Sequence, residues 1–156
     1  MEKEVRVGNV KIGGKPFVFI GGSCVIEGRE ITLRIAEQLS QITDGLHIPF
    51  IFKSSYDKAN RTSINSYRGP GIDEGLNILS EVKKHLGVPV LTDVHSKEEA
   101  FIAAEVVDVL QVPALLSRQT DILVACGKTG RAVNLKKGQF LSPYEVKYAI
   151  EKIEST

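Results

Sequence analysis

The sequence has 156 residues, of which 42% are hydrophobic and 25% charged, and its formal net charge is +1. These values are typical of one globular domain spanning residues 1–156, and they exclude a general attraction to nucleic acid or to a membrane surface, so any anion site must be local. We expect a cytoplasmic protein, because no run approaches the ~18 apolar residues of a membrane span, residues 1–14 lack the apolar segment of a secretory signal, and two cysteines do not make a disulfide framework.

Short β-branched or aromatic runs alternate along the chain with longer amphipathic runs. A small β-hairpin turning at Gly8 and Asn9 is predicted first. Five strands apolar on both faces, as in a covered parallel sheet, are predicted at 17–20, 50–52, 88–91, 107–112 and 132–135. Helices are predicted between and after them, at 29–41, 72–85, 97–106, 119–128 and 144–153.

Two of the helix starts carry additional support. Ser96 and Glu99 form the S-x-x-E pattern of a capping box, in which each residue satisfies a backbone N–H of the other. Ser142 and Glu145 repeat the pattern, with Pro143 at the first helical position, where its missing N–H costs nothing.

Repeated strand–helix units leave two architectures open. One is a five-stranded doubly wound sheet, and the other is a (β/α)8 TIM barrel, which needs ~250 residues and would here comprise about the first five units after the hairpin. The pattern alone favours the open sheet, because 156 residues would complete it. The motifs described next favour the barrel.

Unusual polar residues follow nearly every predicted strand. In both architectures, chemistry takes place at the carboxyl ends of the strands. Cationic, amide and possible metal-ligating groups at five strand ends favour an anionic, oxygen-rich ligand. In strand order these residues are Cys24; Lys53, Lys58, Asn60 and Arg61; Asp93 and His95; Gln111 and Arg118; and Asn134, Lys136 and Lys137.

The segment after the second strand is the richest in positive charge. Lys53, Lys58, Arg61 and Arg68 place four cations within sixteen residues, with Asp57 among them. A lysine that closes an apolar strand is costly unless an anion meets it, and the planar fork of an arginine suits phosphate. With a second cationic corner in the fifth unit, this indicates two phosphorylated or carboxylated substrates, although a solvated basic loop is the alternative.

Several other features are ambiguous or can be rejected. Cys24 alone is as well explained by a small buried hydrophobe, and His95 alone by a hydrogen-bonded structural group. Cys126, in the middle of a helix, is predicted to be in the core. The sequence Gly127-Lys128-Thr129 is not a P-loop, because position 122 is isoleucine where a P-loop needs glycine.

Four long motifs in order closely resemble those of the 3-deoxy-D-manno-octulosonate 8-phosphate synthases. They are KSSYDKANRTSINSYRGPG at 53–71, TDVH at 92–95, QVPALLSRQTD at 111–121 and KTGRAVNLKKGQFLSP at 128–143. The resemblance extends from residue 17 onward and implies a TIM barrel. The related synthases that use erythrose 4-phosphate carry a K-P-R-T type loop where this chain has Lys58-Ala59-Asn60-Arg61, so the acceptor implied here is arabinose 5-phosphate.

The resemblance implies condensation of phosphoenolpyruvate with arabinose 5-phosphate and water, which gives the eight-carbon sugar acid phosphate of lipopolysaccharide biosynthesis and inorganic phosphate. It assigns phosphoenolpyruvate to Lys53, Lys58, Gln111 and Lys136, and the pentose phosphate to Asn60, Arg61 and Thr62. Leu115 stands where an aromatic residue commonly packs on the pentose. Arg118 would reach the pentose phosphate of a neighbouring subunit, which implies a homotetramer. The predicted catalytic residues are Lys53, Lys58, Asp93 and Lys136, and Asn134 joins the substrate-binding residues.

Cys24 stands at the position that is cysteine in the metal-dependent members of this family. The resemblance therefore implies a divalent ion, with manganese, iron or zinc possible, whose other ligands (a histidine, a glutamate and an aspartate) would lie beyond residue 156. We thus expect a truncated, split or incompletely recorded form that is inactive, or nearly so, by itself. The competing hypotheses are a catalytically inactive module that binds the two substrates, and an unrelated doubly wound phosphate-binding protein. No nucleic-acid or membrane partner is expected.

Overall fold

The structure is a computed structural model and describes residues 4–156. This part of the chain forms seven strands and five helices, with 3₁₀ turns at Ala114–Leu116 and Pro143–Glu145. Two hairpin strands come first, and strands then alternate with helices. In chain order the elements are β1 Val5–Val7, β2 Val10–Ile12, β3 Phe19–Gly21, α1 Arg29–Gly45, β4 Phe50–Lys53, α2 Ile72–Leu86, β5 Val90–Asp93, α3 Lys97–Ala104, β6 Val109–Val112, α4 Thr120–Lys128, β7 Ala132–Leu135 and α5 Val146–Glu154.

The predicted N-terminal hairpin is confirmed. Strands β1 and β2 pair antiparallel, with Val7 opposite Val10. Between them the chain turns at Gly8, whose φ of 57° lies in the left-handed region that glycine adopts without steric cost. The hairpin presents both valines, which are buried, to the main sheet.

Strands β3 to β7 form one parallel sheet in which spatial order equals chain order. In a doubly wound sheet the strand order reverses at a switch point, and ligands bind there. Because no reversal occurs among the described residues, the preference that the pattern alone gave to an open doubly wound sheet is wrong. The units wind in one direction, as they do in a barrel.

The two faces of this sheet have different partners. Phe50 and Phe52 of β4 pack in a core that includes residues from every one of the five helices. Ile51, which points to the opposite face, packs instead with Val7 and Val10 of the hairpin. The helices cover one face of the sheet and the N-terminal hairpin covers part of the other. The sheet is curled into a half-barrel, which is consistent with a partial TIM barrel. The complete eight-stranded barrel stays a prediction.

Some element bounds differ from those predicted. Strand β3 begins at Phe19 rather than at Phe17, which is 66% exposed. Strand β5 runs on to Asp93, so Thr92 and Asp93 are part of the strand and not of the loop that follows it. Within residues 4–156, β3 and β7 each pair on one side only, and both are partly exposed, unlike the buried central strands.

The two predicted capping boxes differ in detail. At Ser142 both halves form, since each residue of the pair accepts a hydrogen bond from the backbone of the other. At Ser96 the hydroxyl accepts from Glu99 N at 3.1 Å, but the Glu99 carboxylate reaches past Ser96 to the backbone N–H of His95. Among the described helices, none is long and apolar enough to cross a membrane.

Candidate active site

Alternation along the strands divides the inner face of the sheet into two layers. In each of β4 to β7 the side chain two residues beyond an apolar one is polar and points to the same face. The apolar layer comprises Ile51, Leu91, Val109 and Ala132, and packs against the hairpin. The polar layer lies at the carboxyl ends of the same strands and comprises Lys53, Asp93, Gln111 and Asn134.

A cavity of about 440 Å³ opens at this end of the sheet. It takes residues from four strands, β4 to β7, or from the segments that follow them. Its lining residues are Lys58, Ala59, Asn60, Asp93, His95, Gln111, Pro113, Ala114, Leu115, Leu116, Lys136 and Lys137. Part of the predicted set of cations and amides is therefore brought together, namely Lys58, Asn60, Gln111, Lys136 and Lys137.

Asp93 is the buried acid of the cavity, with 6% of its surface exposed. One carboxylate oxygen accepts a hydrogen bond from the Ser55 hydroxyl, and the other lies 3.2 Å from His95 Nε2. Burial alone would raise the pKa of this carboxyl, but the bonds from His95 and Ser55 and the charges of Lys53 and Lys58 outweigh it and lower the pKa. Asp93 is thus held as an oriented carboxylate.

Glu99 holds the other side of the His95 ring. Its Oε2 lies 3.2 Å from His95 Nδ1 and accepts the His95 backbone N–H at 2.9 Å and the Tyr56 hydroxyl at 2.7 Å. Burial disfavours the imidazolium, yet the bonds to Asp93 and Glu99 raise the pKa of His95 to about 9. The bond to His95 in turn lowers the pKa of Glu99 to about 2, against the effect of burial.

Sequence reasoning missed Ser55, Tyr56 and Glu99 as parts of the site. The S-x-x-E pattern marked Glu99 only as a capping residue, and a hydrogen bond between residues 43 positions apart, Tyr56 to Glu99, left no local signal. The one available signal was proximity in sequence to the TDVH motif, since Glu99 lies one helical turn after His95.

Lys53 ends β4 as predicted and is only partly exposed. Its ammonium donates to the Ser55 hydroxyl at 3.3 Å. Burial, followed by repulsion from Lys58, lowers the pKa of Lys53, while Asp93 and Cys24 oppose the shift. An ammonium in such surroundings is stabilised by an incoming anion.

Gln111 and Asn134 lie side by side on β6 and β7 and are paired in register. The Asn134 amide donates to the Gln111 side-chain carbonyl at 2.8 Å. Because that carbonyl is engaged, the NH₂ group of Gln111 remains as its donor for a ligand in the cavity. The pair of amides thus provides one oriented hydrogen-bond donor, the NH₂ group of Gln111, in addition to the ammonium groups of the lysines.

Four of the predicted substrate-binding residues do not line this cavity, nor does the predicted catalytic residue Lys53. One of the four, Asn134, contacts the lining residue Gln111. Arg61 donates to the Tyr67 carbonyl at 3.2 Å and lines a separate surface pocket with Val25. Thr62 is exposed. Arg118 lies in a further pocket with Glu145. Their roles stay predictions, whereas Asn60 and Leu115 are among the lining residues.

Cys24 is exposed and follows the carboxyl end of β3, next to Val25, which forms a parallel bridge with Ser55. In residues 4–156 no group of three or more His, Cys, Asp or Glu side chains could hold a metal ion. A single thiolate does not make a metal site, and the described residues therefore do not by themselves fit a bound divalent ion. Cys126 is buried, as predicted.

Comparison with known proteins identifies the family. The model of the DAHP synthetase I family matches residues 2–156, which is nearly the whole chain. The chain belongs to the DAHP synthetase I family.

Similar proteins from several bacteria share one name, 2-dehydro-3-deoxyphosphooctonate aldolase. The chain is 63% identical to that of Syntrophobacter fumaroxidans over 145 residues, which cover 93% of this chain and 50% of the relative. It is 59% identical to that of Trichlorobacter lovleyi and 57% identical to that of Geotalea daltonii, in each case over 100% of this chain and 58% of the relative. The chain thus spans 50–58% of the length of these curated relatives.

Proposed function

We propose that this chain forms the substrate-binding face of a 3-deoxy-D-manno-octulosonate 8-phosphate synthase. The reaction condenses phosphoenolpyruvate with arabinose 5-phosphate and water and releases inorganic phosphate. The observation that carries the proposal is the cavity at the carboxyl ends of the strands, where Asp93 and Gln111 of the polar layer lie beside Lys58 and Lys136. The name shared by the similar proteins supports the same reaction.

The charge of the cavity suits anionic substrates. Lys58, Lys136 and the imidazolium of His95 face one buried carboxylate, that of Asp93. Lys137 is held in place by the carbonyls of the segment that follows it. Lys58 and His95 are partly buried, whereas Lys136 and Lys137 are exposed. Water screens the partly buried charges less, so they attract phosphate and carboxylate groups more strongly than the exposed ones do.

The residues act mainly by holding two anions in register. Lys53, Lys58, Gln111 and Lys136 hold phosphoenolpyruvate, and Asn60 approaches the pentose phosphate. Fixing both reactants removes much of the entropic cost of forming the new C–C bond. Positive groups set in place before reaction stabilise the charge that develops as bonds change.

The metal and the assembly belong to the same proposal. Cys24 supplies one thiolate ligand to a divalent ion, and further ligands come from outside the described residues. Arg118, which lies away from the cavity, serves a neighbouring subunit of a homotetramer. The protein works in the cytoplasm.

The test is phosphate release from phosphoenolpyruvate by the purified chain. Arabinose 5-phosphate and erythrose 4-phosphate are supplied in turn, each with manganese or with a chelator. Phosphate release with arabinose 5-phosphate but not with erythrose 4-phosphate supports the proposed synthase activity. Loss of that release when the chelator replaces manganese supports the requirement for a divalent ion. The variant Lys53→Ala should abolish both release and phosphoenolpyruvate binding, whereas Lys84→Ala, on the exposed surface of α2, should change neither.

Calorimetry with the same ligands separates the alternatives. Binding of phosphoenolpyruvate without release would favour a module that binds substrates without turning them over. A folded chain that binds neither substrate would contradict the proposal.

A further inference from the structure

Glu99 stands behind the cavity and is not among its lining residues. A single oxygen of its carboxylate meets three donors, from Tyr56 Oη and from His95 N and Nδ1. A carboxylate with this many short-range partners has a fixed position. The ring that it holds is one wall of the cavity.

His95 lies between two carboxylates. Its Nε2 faces Asp93 and its Nδ1 faces Glu99, each at 3.2 Å. A neutral imidazole has one donor and one acceptor nitrogen, so it can satisfy only one of two carboxylates. The doubly protonated ring satisfies both, and the geometry therefore selects the imidazolium.

This selection changes the charge beside the anion site. With His95 protonated, Asp93, His95 and Glu99 together carry a net charge of −1; with His95 neutral they carry −2. The second negative charge would face the phosphate or carboxylate of a substrate at short range. Since only His95 and Asp93 line the cavity, Glu99 exerts its effect through the ring.

We propose that Glu99 is a positioning residue for the anion site: it holds His95 doubly protonated and oriented toward Asp93, which keeps the charge of that carboxylate offset where substrates bind. The inference rests on the proposed function for the identity of the anions, but the contact between Glu99 and His95 can be tested without it. The raised pKa of His95 and the lowered pKa of Glu99 agree with it.

Other titratable groups surround this unit. Tyr56 packs edge-on against the His95 ring, with ring centroids 6.2 Å apart, and burial raises its pKa, so it stays neutral. From β4 and the loop after it, Lys53 and Lys58 act on Asp93. Lys136 and Lys137 share the cavity from the segment after β7. Because these lysines also contribute charge to the cavity, the protonation of His95 must be observed directly.

The experiment is NMR titration of the His95 ring nitrogens in the wild type, in Glu99→Gln and in Glu98→Gln. The last variant removes the same charge from the same helical turn, at an exposed position. We expect His95 to titrate near pH 9 in the wild type and in Glu98→Gln, and roughly 1–2 pH units lower in Glu99→Gln. Titration of wild-type His95 near 6.5, or an unchanged midpoint in Glu99→Gln, would overturn the proposal.

A second readout ties the ring to anion binding. The affinity for inorganic phosphate is measured from pH 6 to 10 in the same three proteins. The pH above which affinity falls should move down with the His95 midpoint in Glu99→Gln, without weaker binding at pH 6. Equal weakening at every pH would mean that Glu99 is only structural. If even the wild type fails to bind phosphate, the proposed function fails, and the ring titration still decides the contact.

A measurement on the wild type covers the case in which Glu99→Gln does not fold. The chemical shift of the Glu99 carboxyl carbon should show a step at the pH where His95 loses its proton, because the two groups are in contact. Absence of that step would count against the proposal.

Discussion

The side-chain carbonyl of Gln111 accepts a 2.8 Å hydrogen bond from the Asn134 amide, across two neighbouring parallel strands. The bond fixes which end of the Gln111 amide meets the cavity. Since a carbonyl would repel an anion and an NH₂ group attracts one, the orientation of one amide decides whether this wall of the cavity favours anions.

Replacing Asn134 with Asp should reverse that orientation. The new carboxylate would accept from the Gln111 NH₂ group and turn its carbonyl to the ligand, besides adding a negative charge. We expect the affinity for phosphoenolpyruvate to fall by about 10-fold or more, which corresponds to ~1.4 kcal/mol. Calorimetry measures the effect. The control is Asn77→Asp, at an exposed position of α2, which should bind as the wild type does.

The apolar layer should carry a large share of the stability. Ile51 is completely buried between the sheet and the hairpin. The variant Ile51→Ala should lower the free energy of unfolding by ~2–5 kcal/mol, because it removes buried methyl groups and leaves a cavity. The same substitution at Ile64, which is 90% exposed, should cost less than about 0.5 kcal/mol. Urea denaturation compares the two, and equal losses would mean that the hairpin does not seal this layer.

Two glycines in helices should respond to alanine with opposite signs. A Cβ at Gly75 of α2 would overlap Cβ of Tyr56, whereas a Cβ at Gly45, the last residue of α1, meets nothing within 4 Å. Gly75→Ala should therefore destabilise the protein by ~1–3 kcal/mol, despite the better helix propensity of alanine. Gly45→Ala should leave stability unchanged or raise it by up to about 1 kcal/mol. Thermal unfolding gives both signs directly.

The pH dependence of stability should show the His95 unit. Because the pKa of His95 is raised from 6.5 to about 9 in the folded protein, its contribution is complete below pH 6.5 and is lost as pH rises to 9. The contribution is on the order of 3 kcal/mol. Denaturation at pH 6.5 and at pH 9 should show a loss in the wild type that is absent in His95→Gln.

Comparing the two proteins removes the separate contribution of Lys53, whose pKa is also shifted. The control is His85→Gln, which removes an exposed histidine paired with Glu37 at the surface. Surface ion pairs contribute little, so this variant should keep the pH dependence of the wild type. The interpretation fails if His95→Gln loses as much stability over this range as the wild type does.

The sequence predicted the elements well because both the apolar runs and the turn residues are local. Lys53, Asp93 and Gln111 could be placed at the mouth of the sheet from their positions at strand ends, before any geometry was known. The order of the strands could not be predicted this way, since hydrophobic periodicity is the same for a doubly wound sheet and a barrel.

The rest of the site depends on contacts that sequence spacing does not encode. Arg61 belongs to the same basic loop as Lys58, yet the structure turns it toward the Tyr67 carbonyl and away from the cavity. Glu99 fits a local helix-start pattern, but the partners of its carboxylate lie outside that helix. They are His95, in the loop before α3, and Tyr56, in the loop after β4. Residues that are close together in one loop or one helical turn can therefore have side chains in different parts of the structure.

The two-residue repeat that separates the apolar layer from the polar layer also limits how these strands can change. Insertion of a single residue within β5 would turn Asp93 to the helix-covered face and Thr92 into the cavity. The cavity would then have a hydroxyl in place of a carboxylate, and the carboxylate would be buried against the helices. An insertion of two residues would leave each side chain on its present face of the sheet and would change only its position along the strand. Length variation among related chains should therefore concentrate in the connections between strands and helices, and within the strands it should occur, if at all, in even steps.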